Sequence, residues 1–353
     1  MRMIRLSLLA ALAVSAPVGA GTLGSCSGVV ENNEASAALK QDPATARVLD
    51  RLQNDSYFSI KTAAAELVGV HTAVPDEVIG HLRWAIRSGT GSKLKLYYLL
   101  NELKADGRAD VADQYLEGLA DGDPKVRTAS ADGLGAAPSG KRQVASSALL
   151  DLLSSESDPS VYHMALTSLA RVAGPEIKAR VEDLTAVLKE DPPAGTPIQL
   201  FIAWKAHAAA AMIAVLGPEE AVLRFRGLDL NNPTELAVSA GALQALTIYA
   251  GEQLGTMDPE RRNRLGDVLR QYGIDLLAKA TTSEEAAQHS SVREAVPSLF
   301  WMTLGRKLRP EDATAISTAL EAALRVEPPG TVAERNFSDL LRILEGEVRP
   351  KTR

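Results

Sequence analysis

From Asp42 onward apolar residues return every three to four positions, and no segment alternates apolar with polar convincingly enough to read as a strand. Alanine and leucine fill many of the apolar positions, and both are good helix formers. Proline and glycine punctuate the pattern, with many prolines one position inside a helical run, where the missing N–H costs nothing. The pattern predicts paired helices: 43–53 with 56–70, 75–88 with 93–104, 111–119 with a helix opening at Pro124, and 142–153 with a helix opening at Pro159. It continues with 175–189 and 197–216, 218–228 and 233–254, 259–279 and 284–308, then 310–326 and 332–347. The proline-containing stretches 191–197 and 327–330 read as longer loops, and neither requires a domain boundary.

One unit recurs. Asp123-Pro124-Lys125-Val126-Arg127 is followed 35 residues later by Asp158-Pro159-Ser160-Val161-Tyr162. Aspartate suits the N-cap and proline the first helical position. Val126, Ala129 or Ser130, and Gly133 or Leu134 form one apolar face, and the small residues let a neighbouring helix approach closely. Gly135 and Gly174 stand near the expected helix ends. An amphipathic helix precedes each copy, so the unit is helix A, a short turn, Asp-Pro, helix B.

This unit resembles the HEAT repeat, whose A helix ends in a short acidic turn followed by Asp-Pro-x-Val-Arg. The first copy matches that pattern in full. The second carries Tyr162 where the family has arginine, which weakens any ladder of acidic and arginine residues between repeats. The clear matches span 111–174. The resemblance implies an all-α fold, an α-α superhelix of antiparallel helix pairs over 42–349, with B helices lining a concave face. On that face the outward positions are Lys125, Thr128 and Asp132 in the first copy, and Ser160, His163, Thr167 and Arg171 in the second. They form the candidate surface for a protein partner. Val126 and Val161 are expected to point into the core.

The first 25 residues have the layout of an export signal: basic Arg2 and Arg5, an apolar run over 6–16, then Pro17 and small residues. The apolar run is about half of the ~20 residues a membrane-spanning helix needs. Two processing sites compete. Val18-Gly19-Ala20 would release a chain beginning at Gly21, giving a soluble periplasmic or secreted protein. Leu23-Gly24-Ser25-Cys26 resembles a bacterial lipobox, which implies a diacylglyceryl thioether on Cys26 and a membrane anchor. With Ser27 after the cysteine, the same resemblance points to the outer membrane, facing the periplasm. Residues 26–41 are small and polar and read as a tether, reaching about 20 Å r.m.s. if flexible.

Composition narrows the chemistry. A formal net charge of −6 and the lack of a dense basic block argue against nucleic acid, whose phosphates need Lys and Arg. Arg261-Arg262-Asn263-Arg264 lies beside Asp258 and Glu260 and reads as a solvated helix face. A single cysteine rules out an intrachain disulfide and a cysteine-ligated metal site. Trp84, Trp204 and Trp301 lie in separate apolar runs and are expected in the core. The histidines, His71, His81, His163, His207 and His289, form no His-Glu-x-x-His pair, and none precedes a glutamate. Ser88-Gly89-Thr90-Gly91-Ser92-Lys93 lies between two helices and reads as a turn rather than a phosphate loop.

No catalytic residue, metal site, cofactor or small-molecule substrate is therefore expected. The sequence predicts a non-catalytic scaffold or adaptor of the cell envelope that binds a protein partner. An assembly subunit that oligomerises through its terminal repeats is the alternative. A helical-repeat lyase or hydroxylase would need residues that the sequence does not supply.

Overall fold

A computed structural model of the chain describes residues 43–55, 59–70, 76–89, 91–191, 196–282, 289–304, 308 and 310–346. The segment expected to be an export signal, Cys26, the expected tether and His71 lie outside the described residues. Within them the fold is all-α: sixteen α-helices, three short 3-10 helices and no strand. In chain order the helices are α1 (Pro43–Asn54), α2 (Ile60–Val70), α3 (Asp76–Ser88), α4 (Lys93–Glu102), α5 (Ala109–Gly118), α6 (Pro124–Leu134), α7 (Arg142–Leu153) and α8 (Pro159–Val172). They continue as α9 (Val181–Lys189), α10 (Ile198–Leu216), α11 (Pro218–Arg226), α12 (Pro233–Gln253), α13 (Pro259–Thr282), α14 (Ser290–Leu304), α15 (Pro310–Val326) and α16 (Val332–Leu344).

Local chemistry sets the helix starts. Asp123 accepts from the Lys125 N–H, and Asp158 accepts from Ser160 and Val161, each ahead of a first-turn proline. Asn232 does the same for Thr234 and Glu235 at α12. Ser92 accepts from the Lys95 N–H, so the glycine-rich stretch before it opens α4. Gly217 ends α10 at φ 81°, a conformation that favours glycine, and lets α11 begin at once.

The helices form two layers. Each even-numbered helix from α2 to α16 packs on the next even-numbered one, and each odd-numbered helix packs on the even helix that follows it. A single apolar core runs between the layers. Val126 and Val161 are both buried in it, as the repeat pattern predicts. Helix α10 is apolar all round and is held between α8 and α12, with α9 and α11 against it.

Two expectations need correction. The predicted helix over 175–189 is interrupted: Pro175–Arg180 is a 3-10 segment with non-helical Ile177 (φ −104°, ψ 18°), and α9 begins only at Val181. The break buries Ile177 and turns Arg180 toward α7, where it donates to the Ser147 carbonyl at 3.0 Å and pairs with Asp151 at 2.9 Å. Trp301 is 43% exposed rather than in the core, whereas Trp204 is buried and Trp84 is half-buried against the core.

The tightest approach joins α10 and α12. A methyl group on Gly241 would lie 2.5 Å from the Ala206 amide nitrogen and 2.8 Å from the Lys205 carbonyl carbon, both backbone atoms that cannot rotate away. Gly241→Ala is therefore expected to cost about 1–3 kcal/mol through forced separation of the two helices. Gly80, exposed in the interior of α3 with nothing near its added methyl, gives the opposite sign. Gly80→Ala should stabilise by roughly 0.5–1 kcal/mol. Val126→Ala and Val161→Ala should each cost roughly 1–3 kcal/mol by leaving a cavity. Urea melts of the four variants check the signs, and a stable Gly241→Ala protein would refute the close approach.

Candidate partner-binding site

The seven sequence-predicted surface residues fall on α6 and α8, which pack against each other. Lys125, Ser160 and Arg171 are exposed, and Thr128, Asp132 and Thr167 are half-buried. Arg171 reaches back across the helix pair to Asp132 at 3.4 Å. Thr128 donates to the Pro124 carbonyl and Thr167 to the His163 carbonyl, so both hydroxyls are satisfied within their own helices. His163 is half-buried as well, and lies against α10. Its ring stands 6.5 Å from that of Trp204 and 5.8 Å from that of His207.

The α8–α10 seam is thus richer than the sequence foretold. His163 and His207 are 44 positions apart, and only the stacking of one even helix on the next brings them together. Burial lowers the pKa of His163. Burial, then the neighbouring His163 and Arg171, push His207 down to about 4. Both imidazoles are therefore neutral near pH 7. Among the described residues no three His, Cys, Asp or Glu side chains are grouped to hold a metal ion.

On the other edge of the seam lies a cavity of about 170 Å³. Its aromatic wall is Tyr162, Phe201 and Trp204, and its polar wall includes Glu190, Asp191 and Lys205. Lys205 donates to the carbonyls of Val187 (2.9 Å) and Glu190 (2.6 Å), tying down the C-terminus of α9. Its burial brings the ammonium pKa down to about 8, against the opposing pull of Glu190 and Asp191. The Tyr162 hydroxyl donates to Glu190 at 2.9 Å, and burial beside that carboxylate raises the phenol pKa. The cavity was not foreseen from the sequence, because its walls come from α8, α10 and the segments that follow α7 and α9.

Farther along the even layer, Ile248 on α12 and Trp301 and Met302 on α14 are exposed. A methyl at Gly251 would sit 3.8 Å from Met302 Sδ and Cε, so the α14 side chain lies over α12. Exposed tryptophan and methionine on packed neighbouring helices give the layer an apolar stretch beyond the polar positions of α6 and α8. The Arg261–Arg264 cluster is mostly engaged locally: Arg264 pairs with Glu260 and Arg262 donates to the Met257 carbonyl.

The histidine pair yields a pH prediction. A histidine whose folded pKa is depressed contributes stability that is fully present above its unfolded value near 6.5 and is lost as pH falls through about 4. For His207 the loss is on the order of 3 kcal/mol. Melting temperature should fall between pH 6.5 and 4, and His207→Gln should flatten that fall relative to the parent. Parallel slopes for the two proteins would show that His207 does not carry the effect. No protein-family model matches the chain, and no curated protein matches it.

Proposed function

We propose that the chain is a non-catalytic scaffold or adaptor of the cell envelope, built as a HEAT-like array and holding a protein partner on its even-numbered helices. The observation that carries this reading is the unbroken layer formed by α2 through α16. The even helices pack on one another throughout, whereas the odd helices of the first five pairs barely touch. That difference favours curvature over the first five pairs with the even layer on the inner side, the arrangement in which repeats present a wide binding surface, while α11, α13 and α15 pack on one another as well. The layer offers two chemistries: polar Lys125, Ser160 and Arg171, and apolar Ile248, Trp301 and Met302. Exposed tryptophan is a residue type that concentrates binding energy at protein interfaces.

Placement in the envelope rests on the signal-like N-terminus, and anchoring rests on lipidation of Cys26. The mature chain should begin at Cys26 and carry acyl mass, which intact-mass analysis of membrane-extracted protein reads directly. A mature terminus at Gly21 with a free thiol would replace the anchored protein with a soluble one.

The partner-binding reading is tested by quantitative cross-linking and mass spectrometry from solubilised envelope. Trp301→Ala should reduce capture at least about tenfold, because such an anchor is worth 2 kcal/mol or more when truncated. Lys125→Ala and Thr167→Ala should reduce it less, and both should melt within ~0.5 kcal/mol of the parent. Capture unchanged by all three variants would remove the even layer from consideration. Recovery of only the chain itself would move the reading to a self-assembling subunit.

A further inference from the structure

The two repeat copies differ at one rung, and the difference leaves a site. In the first copy Arg127, four residues after the N-cap Asp123, points its guanidinium at Glu156, with Nε and Nη2 at 2.7 and 3.0 Å from the two carboxylate oxygens. Its Nη1 also donates to the carbonyl of Asp121 at 2.8 Å. In the second copy Tyr162 stands four residues after the N-cap Asp158 and donates to Glu190. The partners are 29 residues apart in the first rung and 28 in the second. Glu190 thus occupies the place of Glu156, but a phenol has replaced the guanidinium, and the second carboxylate oxygen of Glu190 has no partner among the described residues.

The cavity of about 170 Å³ opens at this rung. Glu190 and Asp191 bring two carboxylates against one ammonium, and that ammonium, on Lys205, is directed at backbone carbonyls rather than at either acid. The remaining acid in the wall, Glu156, is already paired with Arg127. Tyr162 and Trp204, both buried, pack with ring centroids 5.2 Å apart beneath this excess of negative charge, and the Lys205 ammonium lies 4.7 Å from the centroid of the Phe201 ring. Trp204 is 1% exposed, and its indole N–H has no acceptor among the described residues. Glu190 and Asp191 are exposed, so the rung faces solvent.

We propose that this cavity receives an arginine side chain of the partner protein, which supplies in trans the guanidinium that the second repeat lacks. A planar guanidinium pairs with carboxylates through its forked donors, and the remaining oxygen of Glu190, beside Asp191 at the solvent-facing mouth, offers that pairing. This assignment rests on the partner-binding reading and names the chemistry of one contact within it.

The test uses the full chain and N-acetyl-arginine methylamide as the probe, with the isosteric, uncharged N-acetyl-citrulline methylamide as control. Binding is read from the indole N–H resonance of Trp204, assigned with Trp84→Phe and Trp301→Phe variants. A saturable shift with Kd on the order of 1–10 mM is expected for one side chain alone. The citrulline probe should bind at least about tenfold more weakly. Glu190→Gln, at an exposed position, should weaken the arginine probe several-fold while leaving the melt unchanged. Tyr162→Arg should restore the rung in cis and abolish probe binding. Equal binding of the two probes, or no saturable shift, would overturn the assignment, as would unchanged affinity in Glu190→Gln. Loss of probe binding alongside intact partner capture would remove the pocket and leave the scaffold reading standing, whereas the reverse result would do the opposite.

Discussion

Everything in this molecule depends on how closely one even-numbered helix can lie on the next. Backbone-to-backbone approach requires side chains that hardly project, and Gly241 supplies it where α12 meets the backbone of α10; small residues serve the helix pairs as well, with Gly133 of α6 under the ring of Tyr115 on α5 and Gly273 of α13 against Phe300 on α14. Ser130, Ser146, Ser168 and Ser239 are fully buried, and the hydroxyls of Ser146, Ser168 and Ser239 have no partner among the described residues. An unsatisfied buried hydroxyl costs roughly 1–3 kcal/mol, so size has outweighed polarity at these positions. A larger apolar residue would relieve the polar cost and separate the layers, which would cost more along the whole stack.

Close packing fixes the distance between helices but says little about their register. Polar contacts along the edges supply it. Arg83 with Asp110, Lys141 with Asp113, Arg127 with Glu156 and Arg180 with Asp151 each link one helix pair to the next. Most are partly exposed, so each contributes little to stability by itself. Arg127 and Glu156 differ: the carboxylate is 4% exposed and is met by two guanidinium nitrogens. Removing either partner would leave the other poorly solvated. Tyr162 keeps the geometry of that rung with a neutral group and avoids burying a second guanidinium beside Trp204.

The boundaries legible in the sequence were those written in local chemistry. Asp-Pro starts placed α6 and α8, and the limits of α7 and α15 follow from apolar spacing between breakers. The break at Ile177 was not legible, because its cause is non-local: Arg180 reaches a carbonyl 33 residues earlier. Trp301 misled for a related reason. An apolar run implies burial only where a neighbouring element covers it, and among the described residues no element covers α14 fully at Trp301. His163 and His207 were both visible as residues, but their meeting depends on the phase of two helices across a loop. The clear repeat spacing ends before that loop, so periodicity could not relate them.

That change of spacing explains why the chemistry gathers between α8 and α10. Helices α1 to α9 run 9–14 residues, whereas α10, α12 and α13 run 19, 21 and 24. A short helix laid against a long one cannot match it along its full length, so contacts that repeat between equal helices must be remade at the junction. Lys205 takes on the capping of α9 from the middle of α10, and Thr234 of α12 reaches Asp191 beyond the end of α9. The arginine rung is the contact that is not remade, and the space it leaves is walled by the aromatic residues of the longer helix. A layer of equal helices would be uniform along its length; the mismatch at this junction is what gives one place on it a distinct chemistry.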